Sequence, residues 1–129
     1  MLRTIIRKGI NMWKLDDSRP IYPQLKEHLM KDIVIGRYEK GGPFPTVREL
    51  AEEAGVNRNT MQRALSELES EGLVITNRTA GRTVTTDGEL ILSIRDELAD
   101  EIAGRFIGEM KSIGVEKEEA MAILEKKGE

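Results

Sequence analysis

The sequence contains no cysteine and a single histidine, His28, among its 129 residues. The absence of cysteine excludes disulfides, thiolate metal sites and a cysteine nucleophile. One histidine leaves little basis for metal binding or acid–base catalysis by imidazole groups, because such sites combine it with further ligands or a partner. We expect His28 to be a surface or half-buried residue without a functional role.

Long apolar runs are missing as well. No stretch approaches the roughly 20 apolar residues that span a bilayer, and the apolar residues near the start lack a signal-peptide core. We therefore predict no membrane association and a cytoplasmic location.

The sequence also lacks a nucleophile–base pair, a metal-ligand cluster and a phosphate-cradling glycine loop. It accordingly predicts neither an enzyme nor a cofactor or metal site.

Positive charge is not in excess, since the net charge is −3 at pH 7, and that value disfavours a nucleic-acid-binding protein. The charge is unevenly distributed, however, with +2 over residues 1–87 and −5 over residues 88–129. Within the first part, residues 54–66 and residues 72–86 each contain two arginines and no acidic residue. These two segments are candidates for a surface that faces phosphates.

Residues 43–72 have the pattern of two short helices joined by a tight turn. Thr46 and Glu49 are spaced for a capping box at the start of the first helix, and Gly55 is placed for a left-handed cap at its end. Asn57 can cap the second helix. The apolar positions of both helices keep the helical period: Val47, Leu50, Ala51, Ala54, Met61, Ala64, Leu65 and Leu68.

The outward face of the second helix begins with Arg58, Asn59, Gln62 and Arg63. Arginine can form two hydrogen bonds with guanine, and asparagine or glutamine can do so with adenine. Two helices joined in this way, with such side chains at the start of the second, are typical of the helix-turn-helix, whose second helix enters the major groove. The alternative interpretation is an ordinary helical hairpin with a solvated polar face.

A β-hairpin is predicted directly after the second helix. The β-branched runs at residues 73–76 and 82–86 flank a turn-rich segment, which is a hairpin signal. A hairpin in this place is typical of the wing of a winged helix, and we expect its tip to carry Arg78 and Arg82 for contacts with phosphates or a minor groove. The sequence thus predicts a mainly α fold with a small β-wing.

The chain before this region is predicted to hold an extension and one helix. Residues 1–14 are either a flexible extension, with Met12 as an alternative start, or a basic arm that touches DNA; we favour the extension because termini are usually loose. A first helix is predicted over residues 16–36, capped by Asp17 or Ser18. Its apolar stripe consists of Ile21, Leu25, Leu29 and Ile33.

Residues 88–129 are predicted to form two further helices. About forty residues cannot form an independent core, so the apolar stripe of the longer helix needs a partner, either the winged domain or a second copy of the chain. We favour the second copy, because sites read by this motif are typically bound by symmetric dimers. The predicted dimerisation residues are Ile91, Ile94, Leu98, Ile102, Phe106 and Met110, with Leu98, Ile102 and Phe106 at the centre.

Several spaced motifs together resemble the DNA-binding domain of the GntR family of bacterial and archaeal transcription regulators. The resemblance covers residues 17–87, and the short C-terminal part resembles the YtrA-like subgroup, whose two C-terminal helices mainly dimerise. The matching motifs are PIY (20–22), IGRY (35–38), FPTVRELA (44–51), GVNRNT (55–60), AL (64–65) and EGLV (71–74).

The resemblance implies a winged helix-turn-helix domain over residues 15–87 and a C-terminal helical dimerisation segment over residues 88–129. It also implies a regulator, usually a repressor, that binds a palindromic double-stranded operator as a homodimer. The DNA contacts carried over by motif are Arg48, Arg58, Asn59, Thr60, Gln62, Arg78, Thr79 and Gly81. Thr46 and Asn57 join this set at the two helix starts, which suit phosphates, and Arg63 is either a phosphate contact or a solvated charge.

The sequence departs from the family pattern at two places. Asn57 stands where a serine or threonine is usual, and it still caps well. Thr79-Ala80-Gly81 replaces the usual Gly-x-Gly of the wing tip, which makes the predicted wing contacts the least secure.

Two alternatives stay open at this point. A winged helix that serves as a protein-interaction or scaffold module would not bind DNA sequence-specifically. A small-molecule effector between the C-terminal helices is compatible with the DNA-binding function, although the sequence offers no convergent polar pocket for it.

Overall fold

The computed structural model describes residues 13–128, and within them it contains five helices and one two-stranded antiparallel sheet. The chain divides into two compact units, one ending at Leu92 and the other beginning at Ser93. In chain order the elements are α1 (Ile21–Val34), α2 (Val47–Ala54), α3 (Arg58–Ser70), β1 (Val74–Asn77), β2 (Gly81–Val84), α4 (Gly88–Ser112) and α5 (Lys117–Lys127). This order confirms the predicted fold class.

The N-terminal extension predicted over residues 1–14 lies largely outside the described residues. Trp13, which falls within it, is described and is buried, with 3% of its surface exposed. Its ring stacks on the ring of His28 in α1, with the two centroids 3.8 Å apart. The boundary at residue 14 is therefore too late, because a buried indole that packs on α1 belongs to the folded domain. His28 itself is half-buried, as predicted.

Helix α1 begins later than the sequence indicates. Pro20 occupies its N-cap position, and no side chain caps the helix. Neither Asp17 nor Ser18 acts as a cap; Asp16 closes a turn instead, and its Oδ1 accepts hydrogen bonds from the Ser18 N–H (3.0 Å) and hydroxyl (2.6 Å). A proline pushes the residue before it towards extended backbone, so the helix cannot continue upstream of Pro20.

Helix α2 starts with the predicted capping box. The Thr46 hydroxyl oxygen accepts from the Glu49 N–H (3.1 Å), and the Glu49 carboxylate accepts from the Thr46 N–H (2.9 Å). The helix ends at Gly55, whose φ of 74° lies in the left-handed region that glycine adopts at no steric cost. Local sequence signals therefore determine both ends of this helix.

Replacing Thr46 with alanine should lower the free energy of unfolding by about 1 kcal/mol, because the Glu49 N–H loses its capping oxygen. Urea denaturation followed by circular dichroism would measure the change. Thr79→Ala is the matched control, since Thr79 is exposed at the wing tip and caps no helix. Equal stability of the two variants would contradict the capping role of Thr46.

Helix α3 forms the centre of the first unit. It packs against α1, α2 and β1. Its inward residues Met61, Ala64, Leu65 and Leu68 are fully buried. Burying a large apolar side chain contributes about 1.5–3 kcal/mol, so the orientation of α3 about its axis is strongly determined. The polar residues on the opposite side of α3 consequently face outward.

The wing begins immediately after α3. The Leu73 N–H donates to the Leu68 carbonyl (3.0 Å) across Gly72, whose φ of 83° is left-handed, so residues 72–73 form the turn that follows α3, and β1 starts at Val74, one residue later than predicted. Strand β1 pairs with β2 in the register Val74↔Val84 to Asn77↔Gly81. The loop between the strands consists of Arg78, Thr79 and Ala80.

Helix α4 has 25 residues and a cap from Asp87, whose carboxylate accepts from the N–H groups of Glu89 and Leu90 at 3.1 Å each. Gly114, with a φ of 85°, separates it from α5. The predicted long helix and the short final helix are thus both present. No helix of the described residues has the length and apolar character needed to cross a membrane.

Candidate nucleic-acid interface

The outward side of α3 presents a row of polar side chains that we call the recognition face: Arg58, Asn59, Gln62, Arg63 and Ser66, all of them exposed. Before it stands Asn57, whose side-chain oxygen accepts from the Asn59 N–H at 2.6 Å and so caps the helix. The Gln62 amide donates to the Ser66 hydroxyl at 3.2 Å. Among the described residues, Arg58 has no ion-pair partner, and its donors are available to a ligand.

Helix α1 supports one flank of α3. The Arg63 guanidinium lies over the Tyr22 ring, 3.9 Å from the ring centroid. The Lys26 ammonium pairs with Glu67 at 3.4 Å and also with Glu71. Burial lowers the pKa of Lys26, but hydrogen bonds and charge interactions with Glu71 and Glu67 outweigh it and hold that pKa above its ordinary value. Lys26 is therefore charged at neutral pH and neutralises two acids of α3.

The wing supports the other flank. The Glu69 carboxylate accepts from the Arg82 Nε at 2.9 Å and from the Thr76 hydroxyl. Burial raises the pKa of Glu69, and the bonds from Thr76 and Arg82 more than offset that effect, so the pKa lies below its ordinary value. All three acids near the end of α3 thus have partners, as Lys26 takes the other two. Each of these negative charges is therefore compensated within the fold.

Arg82 lies in strand β2 and not at the wing tip, so its predicted position is wrong. The β-ladder pairs it with Thr76, and its side chain is only 20% exposed because it reaches back to Glu69 on α3. The residues at the tip are Arg78 and Thr79, which are both exposed. Arg82 therefore links the wing to α3.

Gly81 closes the tip with a φ of 73°, a value that favours glycine strongly. The Asn77 amide donates to the Gly81 carbonyl and to the Thr83 hydroxyl, both at 3.0 Å, which holds the base of the loop. Gly81 is thus needed for the shape of the tip, and a DNA contact by its backbone stays a prediction.

The remaining predicted contacts lie at the start of α2 and in the first turn of α3. Arg48 is exposed and pairs with Glu52 at 3.5 Å, and both side chains are 70% exposed, so this pair is weak. The Thr46 hydroxyl is engaged in the capping box, where it also donates to the Glu49 carboxylate at 3.2 Å. Thr60 is half-buried within α3. Arg48 is therefore the more accessible donor for a phosphate on this side.

The Glu69 contacts predict a pH-dependent stability. A carboxylate with a lowered folded-state pKa adds stability above its unfolded pKa, and that stability is lost as the pH falls through the folded value. We expect Glu69→Gln to lower the free energy of unfolding at pH 7 by about 0.5–1 kcal/mol, a size typical of pairs near the surface. The difference from the original protein should shrink below the ordinary pKa of 4.5. Urea unfolding at pH 7 and near pH 3 would measure both values.

Glu52→Gln is the control for that experiment, because Glu52 makes only the weak pair with Arg48. It should change stability little at either pH. A Glu69→Gln penalty of the same size at both pH values would exclude the charge of Glu69 as its origin.

The fold and the recognition face define a winged helix-turn-helix protein. Residues 21–84 match the family described as bacterial regulatory proteins, gntR family. The chain is 34% identical to the HTH-type transcriptional regulator YhcF of Bacillus subtilis over 84% of this chain and 89% of that protein. The HTH-type transcriptional repressor YtrA of the same organism is 35% identical over 58% of each chain.

Solved structures agree with this match. A GntR family transcriptional regulator from Listeria monocytogenes is 38% identical and has a TM-score of 0.77, covering 87% of this chain and 98% of that one. The chain therefore belongs to the GntR family. It is a DNA-binding transcription regulator and not an enzyme, which confirms two predictions made from the sequence.

Proposed function

We propose that the protein binds a two-fold symmetric operator as a homodimer and represses the genes beside it. The recognition face is the observation that carries this proposal. It carries arginine, asparagine and glutamine, the side-chain types that read base edges. The helix that carries them is bound by α1 on one flank and by the wing on the other. Each α3 of the dimer would enter a major groove of one half-site.

The contacts divide by chemistry within this proposal. Arg58, Asn59 and Gln62 read base edges, because they are exposed at the start of α3 and carry the groups that guanine and adenine recognise. Phosphates are bound by Arg48, Thr60 and Arg63 beside the groove and by Arg78 and Thr79 at the wing. Thr46, Asn57 and Gly81 contribute mainly by shaping the backbone that these side chains stand on.

Homodimerisation is proposed for residues 88–129, with residues 15–87 as the DNA-binding part. Ile102 and, in α5, Met121 and Leu124 are each about half exposed, with values of 45%, 54% and 48%. Exposed large apolar side chains are candidates for an interface between copies of the chain. The net charge of −5 over residues 88–129 keeps this segment away from phosphates.

The predicted dimerisation residues are not equally available. Ile94 and Leu98 are already buried in the single chain, and Ile91, Phe106 and Met110 are half-buried. We therefore centre the proposed dimer surface on Ile102 and Phe106 and add Met121 and Leu124 from α5.

Repression is the direction we propose because the relative YtrA is named a repressor. The proposal includes no small-molecule effector, since no feature described above converges on one. A cytoplasmic location belongs to the same proposal.

Selection of bound duplexes from a random DNA pool, at near-physiological salt, tests this function. Salt must be fixed because phosphate contacts make affinity steeply salt-dependent. We expect a two-fold symmetric consensus whose half-sites lie about 34 Å apart, or a multiple of that distance. Absence of enrichment with a folded, dimeric protein would contradict the proposal and favour a protein-interaction module instead.

A further inference from the structure

Arg63 is an exposed arginine of α3 whose guanidinium stacks on a tyrosine of α1. Its guanidinium carbon lies 3.9 Å from the centroid of the Tyr22 ring, which is the geometry of a cation–π contact. Such stacking uses the flat face of the guanidinium and leaves its N–H donors at the edges, where they can bond an anion. The Tyr22 ring therefore fixes the position of the charge without occupying its donors.

The natural ion-pair partner of Arg63 is held elsewhere. Glu67 lies four residues after Arg63 on the same helix, a spacing at which opposite charges usually pair. Glu67 is instead 3.4 Å from the Lys26 ammonium, which also binds Glu71. No salt bridge joins Arg63 to a carboxylate of the described residues. Helix α1 thus contributes both the ring that supports Arg63 and the cation that removes its competitor.

We propose that Tyr22 and Lys26 are positioning residues that keep the Arg63 guanidinium stacked, free of carboxylates and ready to bind a backbone phosphate of the operator. This inference rests on the proposed function, because the phosphate belongs to the DNA that α3 reads. Under this inference, α1 contributes to DNA affinity through its contacts with α3. It also gives a structural reason for the phosphate contact proposed for Arg63.

A double-mutant cycle on operator affinity tests the role of Tyr22. Tyr22→Leu removes the π face and should weaken binding about two- to fivefold, as expected for an exposed cation–π contact. The same change in an Arg63→Ala background should have no further effect. Tyr22→Phe keeps an aromatic ring, so the energetic coupling between positions 22 and 63 in operator binding should remain as in the original protein. Arg63→Ala should also reduce the salt slope of binding by about 0.9, the loss of one phosphate.

A second series tests the role of Lys26. Lys26→Met frees Glu67 to pair with Arg63, so operator affinity should fall severalfold. Adding Glu67→Gln should restore it, because the competing carboxylate is gone. Adding Glu71→Gln instead is the matched control; Glu71 also pairs with Lys26 but lies eight residues from Arg63, too far along α3 to pair with it. This control should leave the affinity low.

The outcomes separate this inference from the proposed function. If the original protein fails to select operator DNA, the proposed function fails. If it binds operator, but Tyr22→Leu weakens binding equally with arginine or alanine at position 63, the positioning role of Tyr22 is refuted. Equal rescue by Glu67→Gln and Glu71→Gln, or no loss in Lys26→Met, would refute the role of Lys26. Thermal unfolding of each variant checks that it is folded, and Tyr22→Phe and the Lys26 series keep the test valid if Tyr22→Leu does not fold.

Discussion

Replacing Ile102 with aspartate should convert the protein into monomers that bind the operator weakly. Ile102 lies midway along α4 and is 45% exposed, so the change should leave the fold of the single chain intact. In a dimer interface the new carboxylate would be buried without a partner, which is strongly unfavourable. Monomers engage one half-site at a time and lose the effective concentration that links the two, an effect of about 10²–10⁴ in affinity.

Sedimentation analysis and fluorescence anisotropy with an operator duplex would measure these two effects. Gly104→Asp is the control, because it also adds one negative charge to an exposed position of α4 but lies on the side of the helix away from Ile102. We expect it to remain dimeric. A dimeric Ile102→Asp variant would place the interface elsewhere, and a monomeric original protein would overturn the dimer altogether.

Replacing Arg58 with alanine should relax base preference at one position of each half-site, with a loss of about 1–3 kcal/mol on the preferred sequence. Arg58 is exposed in the first turn of α3, and no described carboxylate competes for its guanidinium. Arg78→Ala should act differently, because Arg78 lies at the wing tip. It should weaken binding to all sequences evenly and reduce the salt slope by about 0.9.

Affinities for the preferred operator and its single-base variants, each measured at several salt concentrations, would distinguish these two behaviours. Lys111→Ala provides the control, since Lys111 is an exposed cation on the side of α4 away from Ile102. It should change neither quantity. Equal effects of Arg58→Ala and Arg78→Ala on all sequences would contradict the division between base reading and phosphate binding.

The features predicted correctly from the sequence are the ones that neighbouring residues determine. The Thr46 capping box, the Asn57 cap and the left-handed Gly55 each depend on residues at most a few positions apart. The buried face of α3 follows from the helical period of its apolar residues. Each of these signals lies within a short window of sequence, so the helix-turn-helix and the outward position of the recognition face could be predicted.

The contacts on the flanks of α3 could not be predicted in this way. Lys26 meets Glu67 and Glu71 across 41 and 45 positions, and no local pattern pairs these charges. The role of Arg82 depends on the register of the wing, because the partner of Arg82 in the ladder decides which side of the sheet it occupies. Arg82 is close to Arg78 in sequence, and sequence distance alone therefore predicts, wrongly, that both lie at the tip.

The late start of α1 has a different origin. Asp17 and Ser18 are good caps by type, but Pro20 restricts the backbone ahead of it, and the steric effect outweighs the capping preference. The burial of Trp13 could not be predicted from neighbouring residues either, because it depends on the stacking partner that α1 supplies. Both differences concern where the domain begins and leave the recognition face unchanged.

The separation between the two sides of α3 bears on how new operator preferences can arise. Side chains that build the core point inward, while Asn59, Gln62 and Ser66 point outward and support no other element. Exchanges at such exposed positions usually alter stability by less than about 0.5 kcal/mol. Under the base contacts proposed above, the domain can therefore acquire a different DNA target, by divergence after gene duplication or by library selection in the laboratory, while its scaffold stays the same.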